Sequence, residues 1–233
     1  MNVEKKKLIF VHIPKTGGQT MMDILYQVFG FENVLKIWGQ QSNGKAGHYS
    51  VEDFMNLDDH TIRDYPCIGG HITLDSLKSK LGVKVLRQQY HMYAIVRDPI
   101  DTVISLYNYY QTNTDHPRYQ ENSALSFEEF IAGHYRKNFQ CHFLGTTNAY
   151  HSIYNAQHFF SKIVTISQFD DLVQEILNEF SVFNTKEVQQ RVKNVSNKVV
   201  AREKLSMEMI DKIQKDNYQD YLLFEAIKSQ EKM

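Results

Sequence analysis

Cysteine is scarce in this chain: Cys67 and Cys141 are the only two among 233 residues. Two thiols cannot form a disulfide framework or a cysteine-rich zinc site, and a reducing compartment suits them. Ten histidines are present without an HExxH pair, so we expect no metal site. No apolar stretch reaches the length of a transmembrane helix. The composition therefore predicts a cytoplasmic protein with no transmembrane segment.

An excess of charge of either sign is also missing, since 26 Lys and Arg are balanced by 27 Asp and Glu for a net charge of −1. The overall field gives no argument for a nucleic acid partner, we expect none, and any anion site has to be local. Basic residues near the N-terminus precede the apolar run Leu8–Ile13, which is too short for a signal peptide. The length predicts a single domain over residues 1–233, with residues 1–7 as a flexible tail.

Short apolar runs alternate with helical periodicities along the chain. Apolar and β-branched residues predict four buried strands, at residues 8–13, 67–72, 90–96 and 163–166. Apolar residues at helical spacing follow three of these runs. Residues 31–66 give weaker signals, although Ser50 with Asp53 predicts the cap of a short helix. Alternating strands and helices predict an α/β fold: a P-loop-like three-layer sandwich in which helices flank a central, mostly parallel sheet.

The first predicted strand runs into a glycine loop, Pro14-Lys15-Thr16-Gly17-Gly18, that opens a helix. Such a loop points several backbone N–H groups in one direction, and the helix N-terminus adds partial positive charge, so together they suit a phosphate-like anion. Lys15 would place a cation beside the anion. The lysine precedes the glycines and no Walker B run follows, so the loop is not a Walker A motif. The alternative is an ordinary turn whose glycines only permit the bend. The amides expected to bind the anion, with two hydroxyls among their side chains, belong to Thr16, Gly17, Gly18, Gln19 and Thr20.

A second anion-binding pair is predicted where the third strand ends. Arg97 follows that strand, and Ser105 lies eight residues later on the next helix. An arginine fork and a serine hydroxyl two turns into a helix can converge on one phosphate. The alternative is that Arg97 pairs with a surface carboxylate and Ser105 is merely exposed.

A histidine lies at the end of the second predicted strand, in Gly69-Gly70-His71. Histidine titrates near neutrality, so His71 is a candidate base that would accept a proton from a hydroxyl group. A lone histidine is more often structural, which leaves that alternative open. His12, just before the glycine loop, and His142 are rival candidates.

Three segments resemble the PAPS-dependent carbohydrate O-sulfotransferases, in the order of that family and at fitting distances: residues 10–20, 69–77 and 97–107. The likeness is greatest to the heparan sulfate 2-O and 6-O sulfotransferases and their bacterial relatives, and it spans about residues 8–228. It implies that Lys15 and the loop amides hold the 5′-phosphosulfate of PAPS (3′-phosphoadenosine-5′-phosphosulfate). It also implies that Arg97 and Ser105 hold the 3′-phosphate. Gln19 departs from the threonine or serine common at its place in such loops.

The same resemblance implies roles in catalysis. His71 matches the general base of the family, and Lys15 would stabilise charge on the bridging oxygen as PAP leaves. The acceptor would be a hydroxyl of a carbohydrate or glycolipid. His12 would pack or orient the loop, Asn138-Phe139-Gln140 resembles a segment near the acceptor site, and Lys193–Ser196 resembles a late segment that would help close over the nucleotide.

Two other functions remain open from the sequence: an ATP-dependent small-molecule kinase, and a non-catalytic PAP-binding protein. The acceptor surface is open as well. Several aromatic side chains near the Arg97 segment would either stack on sugar rings or belong to the core and helix surface; they are Tyr107, Tyr109, Tyr110 and Tyr119.

Overall fold

The computed structural model describes residues 7–39, 48–180 and 199–231. The strands in these ranges are β1 (Lys7–Val11), β2 (Val34–Ile37), β3 (His48–Tyr49), β4 (Cys67–Gly70), β5 (Tyr90–Val96) and β6 (Lys162–Thr165). They form one sheet in the order β3-β2-β4-β1-β5-β6, and every neighbouring pair is parallel.

Helices connect the strands and cover both faces of the sheet. The α-helices are α1 (Gly18–Phe29), α2 (Val51–Asn56), α3 (Asp59–Asp64), α4 (Leu74–Leu81), α5 (Val83–Gln89), α6 (Pro99–Thr112), α7 (Tyr119–Asn122), α8 (Phe127–Gly133), α9 (Phe139–Phe143), α10 (Ala149–Phe159), α11 (Phe169–Phe180), α12 (Met207–Asp216) and α13 (Tyr218–Gln230). Over the described ranges, none of the helices has both the length and the apolar character to cross a membrane.

The alternation of side chains along β1 produces the layered core. Leu8 and Phe10 pack on one face of the sheet, in a fully buried cluster with residues of α1 and α11. Ile9 and Val11 pack on the other face, in a cluster that includes residues of α4, α10 and α13. Burial of each such side chain contributes roughly 1.5–3 kcal/mol relative to exposure. A strand buried on both faces therefore fixes the place where the loop after it begins.

The predicted α/β sandwich with its central parallel sheet is confirmed, and so is the short helix capped by Ser50, which forms a capping box with Asp53. All four predicted strands are present, although β1 ends at Val11 and not at Ile13. The strands β2 and β3 were missed. Lys7 is the first residue of β1, while residues 1–6 lie outside the described ranges, so the flexible tail stays a prediction there.

The two cysteines are both buried in the protein core. Cys67 in β4 and Cys141 in α9 are both free thiols with fully buried side chains. Burial raises the pKa of both thiols well above the ordinary value. Neither thiol is therefore a reactive group at neutral pH.

Candidate active site

The predicted site residues follow the carboxyl ends of three neighbouring strands. The strand order places β1 between β4 and β5, and all three run in the same direction. Their carboxyl ends therefore lie side by side, which is where ligands bind in open parallel sheets. Lys15 follows β1, His71 follows β4 and Arg97 follows β5.

The glycine loop adopts left-handed backbone conformations at Lys15 (φ 69°) and at Gly17 (φ 89°), which turn the chain into α1. Gly17 precedes the helix, and no side chain caps it. The first N–H groups of a helix have no intrahelical acceptors, so they are available to an anion. Gln19 and Thr20 lie partly exposed in this first turn. The Thr16 hydroxyl, by contrast, is buried and donates to the Ile13 carbonyl at 2.8 Å, so here it fixes the loop.

His12 packs directly beneath the loop. A Cβ atom at Gly18 would lie 1.9 Å from Cδ2 of His12, so only glycine allows this close approach. The side chain is 4% exposed, and its Nδ1 atom has no hydrogen-bond partner among the described residues. Burial, with the nearby His71, Lys36 and Lys15, lowers the pKa of His12 well below the ordinary value. His12 is therefore neutral and serves as packing between β1 and α1.

The Lys15 ammonium lies over the ring of Tyr109, 3.9 Å from its centroid, in a cation–π contact. Burial and the charge of Arg97 lower the pKa of Lys15 from 10.5 to about 8. Tyr109 therefore contacts the lysine of the loop in this structure. Tyr107 and Tyr110, on the same helix, belong to the core between α6 and α8, which confirms the structural alternative for these two rings.

Arg97 is tied to the loop through its side chain. Its guanidinium donates to the Lys15 carbonyl at 3.2 Å. The acidic residues that follow, Asp98 and Asp101, pair with Arg202 at 3.2 and 3.1 Å. Arg97 itself forms no ion pair within the part of the chain that the structure describes, so the alternative of a surface salt bridge finds no support there.

Ser105 shares a face of α6 with Tyr109. Residues four apart share a helix face, and Ser105 is four residues before Tyr109, whose ring contacts Lys15. The side chain is partly exposed. The structure thus joins Arg97 to the loop, while a shared phosphate-binding role for Arg97 and Ser105 stays a prediction.

His71 is fixed at the end of β4 by a close backbone approach. Gly70 has φ 137°, and a Cβ there would lie 1.9 Å from the Ile37 carbonyl oxygen. The next N–H, that of His71, donates to the same oxygen at 2.8 Å. The imidazole stacks on Trp38 with centroids 4.5 Å apart and meets His12 edge-on at 4.4 Å. Burial, with Lys36 and Lys15, lowers the pKa of His71 to about 4, so the ring is neutral at pH 7.

Two residues of this site were missed by the sequence analysis. Lys36 pairs in register with Gly69 on the neighbouring strand, and its ammonium lies 4.6 Å from the Trp38 ring centroid. Both residues come from β2 and its end, a strand that the sequence did not reveal. The signal present was a short apolar, β-branched run interrupted by the lysine, Val34-Leu35-Lys36-Ile37.

The rival histidine His142 reaches His71 only through another ring. His142 contacts the ring of Phe143 at 6.0 Å, and Phe143 in turn contacts His71 at 6.4 Å. The segment Asn194–Ser196 lies outside the described residues, so its predicted role is not examined by the structure.

Comparison with known proteins identifies the family. A model described as "Sulfotransferase family" matches residues 1–225, so the chain belongs to the sulfotransferase family. The solved mouse sulfotransferase SULT7A1 complexed with PAP is similar in fold, with a TM-score of 0.53 and 13% identity over 96% of this chain and 88% of that one. A sulfotransferase from Alicyclobacillus acidocaldarius covers 95% of each chain at 10% identity and a TM-score of 0.45. A search of curated proteins gave no significant match.

Proposed function

We propose that this sulfotransferase moves a sulfuryl group from PAPS to a hydroxyl of a carbohydrate or glycoconjugate, with His71 as general base. The main support is a contact between two predicted donor-binding residues, Lys15 for the 5′-phosphosulfate and Arg97 for the 3′-phosphate. At the carboxyl ends of β1 and β5, the Arg97 guanidinium donates to the Lys15 carbonyl at 3.2 Å. Their separation of 82 residues along the chain makes this meeting a product of the fold.

The N–H groups and positive charges at the carboxyl ends of these strands suit an anionic nucleotide. The uncapped start of α1 offers backbone N–H groups, Lys15 offers a compact charge, and Arg97 offers a planar fork. Two cations of this kind repel each other unless an anion lies between or beside them. PAPS carries phosphate groups at both ends of its ribose, so each cation has a group to bind.

Sulfuryl transfer, like phosphoryl transfer, depends on positioning and on charge stabilisation. The neutral imidazole of His71 would accept the proton of the acceptor hydroxyl while its oxygen forms the new bond to sulfur. The bond between sulfur and the bridging oxygen breaks, and Lys15 would stabilise the charge that develops on that oxygen as PAP leaves. The loop amides would hold the oxygens of the sulfuryl group.

The carbohydrate acceptor rests on the sequence resemblance and on the rings around His71. Trp38 and Phe143 both contact the imidazole, and aromatic faces suit the apolar faces of sugars. An acceptor hydroxyl has to reach His71, so these rings lie where the acceptor would pass. A cytoplasmic location stays a prediction from the composition.

Calorimetric titration with PAP, 5′-AMP and ATP tests the donor. We expect micromolar binding of PAP and much weaker, but measurable, binding of 5′-AMP, which lacks the 3′-phosphate. Tight ATP binding with indifference to PAP would favour the kinase alternative. PAP binding, with no transfer of sulfate from PAPS to any hydroxyl acceptor in a panel of sugars, would favour the non-catalytic alternative.

A further inference from the structure

Arg97 lies just beyond the hydrogen-bonded part of β5. The last pairings of that strand join Val96 to Thr165 on one side and Ala94 to Val11 on the other. The backbone of Arg97 therefore has no ladder partner among the described strands, and a buried backbone group without a partner is costly. Some other group has to hold this position.

The carboxamide of Gln140 binds both backbone groups of Arg97. The Arg97 N–H donates to Oε1 of Gln140 at 2.9 Å, and Nε2 of Gln140 donates to the Arg97 carbonyl at 2.8 Å. The Gln140 side chain is 0% exposed. One buried side chain thus continues the strand by a single residue, and that residue is the predicted 3′-phosphate arginine.

Gln140 is in turn held by the C-terminal helix. The carboxylate of Asp220, near the start of α13, accepts the N–H groups of Gln140 at 3.0 Å and of Cys141 at 2.8 Å. Asp220 is 2% exposed, and burial raises its pKa to about 6, so it is mainly ionised at neutral pH. A buried carboxylate that accepts two backbone N–H groups orients the short helix α9 from its start.

The link between α9 and α13 is reciprocal. Asn138, in a left-handed conformation with φ 49°, accepts the N–H groups of Gln219 at 3.0 Å and of Asp220 at 3.3 Å. Its own N–H donates to the Asn217 side chain at 3.1 Å. Each helix start therefore fixes the other, and the position of Gln140 depends on both.

We propose that Gln140 is a positioning residue for the donor: it fixes the backbone of Arg97 so that the guanidinium lies beside the glycine loop, and Asp220 makes α13 part of this support. The inference rests on the proposed function, because it assigns the 3′-phosphate to Arg97. A chain of hydrogen bonds then runs from Asp220 through Gln140 and Arg97 to the carbonyl of Lys15.

This role predicts a selective loss. Without the Gln140 carboxamide, the backbone at the end of β5 can move, and the Arg97 guanidinium is no longer held in position. The loop that would bind the 5′ group keeps its own hydrogen bond between Thr16 and Ile13. Ligands with a 3′-phosphate should therefore suffer, and ligands without one should not. A merely structural role would weaken both alike or lower the melting temperature alone.

The test uses Gln140→Met and the near-isosteric Gln140→Glu, with Gln219→Met as the matched control. The Gln219 side chain accepts the Ala149 N–H at 2.9 Å and does not contact Arg97, so its loss removes a side-chain hydrogen bond of α13 that does not involve Arg97. We expect both Gln140 variants to raise the Kd for PAP about tenfold or more, the effect of leaving buried polar groups unpaired. The Kd for 5′-AMP should stay unchanged, and the control should leave both values unchanged.

A second measurement requires no variant to fold. Hydrogen exchange of the wild-type chain should show the Arg97 amide protected although it lies beyond the strand. Exchange as fast as that of an exposed loop amide would contradict the hydrogen bond between the Arg97 N–H and Gln140. Equal losses for PAP and 5′-AMP in the Gln140 variants, or no loss beyond that of the control, would overturn the positioning role. If wild type itself fails to bind PAP, the proposed function fails, and the role of Gln140 in donor binding fails with it whatever the exchange shows.

Discussion

The guanidinium of Arg97 donates to the backbone carbonyl of Lys15, and its charge helps to lower the pKa of the Lys15 ammonium to about 8. Two like charges are thus held together at the end of neighbouring strands, partly removed from water. Such an arrangement is unfavourable in the empty protein and becomes favourable when an anion binds. An anionic ligand would therefore reduce the repulsion between Lys15 and Arg97.

Replacement of Arg97 by lysine should separate the two ends of the nucleotide. The variant keeps a positive charge but loses the planar fork, so a bidentate contact becomes a single one. We expect Kd for PAP to rise about tenfold, with a much smaller change for adenosine 5′-phosphosulfate, which lacks the 3′-phosphate. Equal weakening of both ligands in calorimetry would contradict the 3′-phosphate role.

Donor affinity should fall as the pH rises through about 8. The free protein holds the pKa of Lys15 near 8, and a bound anion raises it, so binding above that pH requires uptake of a proton. Below pH 8 the lysine is charged in both states and the affinity should be level. The Lys15→Arg variant, whose guanidinium stays charged, should lose this alkaline decline; a decline that persists unchanged would assign it to another group.

His71→Gln should abolish most turnover without loss of PAP binding. Glutamine keeps a polar side chain of similar length but accepts no proton, so we expect kcat to fall roughly 10²–10⁴-fold. The exposed His151 on α10 supplies the control, His151→Gln, since its ring contacts Tyr150 and not His71. A His71 variant with near-normal turnover and intact PAP binding would remove the base assignment.

The pH profile of turnover should show a histidine with a depressed pKa. In the free protein the pKa of His71 is lowered to about 4 from 6.5, so the neutral base persists well into the acid range. The acidic limb of kcat/KM for PAPS, which reports the free enzyme, should therefore lie well below pH 6.5. Bound donor brings negative charge that favours the protonated ring, so the acidic limb of kcat should lie at higher pH. A kcat/KM limb at or above 6.5 would contradict the buried, cation-flanked setting of His71.

Gly18→Ala should damage the loop by a purely steric route. Gly18 has ordinary helical geometry, but its added Cβ would lie 1.9 Å from the buried ring of His12. We expect a loss of roughly 1–3 kcal/mol in the free energy of unfolding, as for an overpacked core, together with weaker PAP binding. Gly133→Ala is the control: its Cβ meets nothing within 4 Å, so the same change should be neutral or stabilising in thermal unfolding.

The site was predictable where it depended on local sequence and a general rule. Lys15, His71 and Arg97 each follow a recognisable strand, and parallel strands bring such ends together. The fold class followed from the same alternation of elements. The sequence also allowed two readings of Tyr107 and Tyr110, and only packing under α6 decides that they are core residues.

The missed features depend on contacts between distant segments. The strand β2 has four residues, one of them Lys36, and β3 has two, so neither carries enough periodicity to be recognised. They are strands because β2 pairs with β4 and β3 pairs with β2. The role of Gln140 was hidden for the same reason, since its partner Arg97 is 43 residues away.

The order of the strands also bears on how copies of this chain avoid one another. The longest strands, β1 and β5, lie inside the sheet, while its two described edges are the two-residue β3 and the four-residue β6. An exposed edge is a template on which another chain can add a strand, and a short edge offers few free backbone groups. At β6, Lys162 is exposed and paired with Glu175, which places charge along that edge. The apolar strands that carry the proposed donor site are thereby kept away from the positions where fibrillar aggregation would begin.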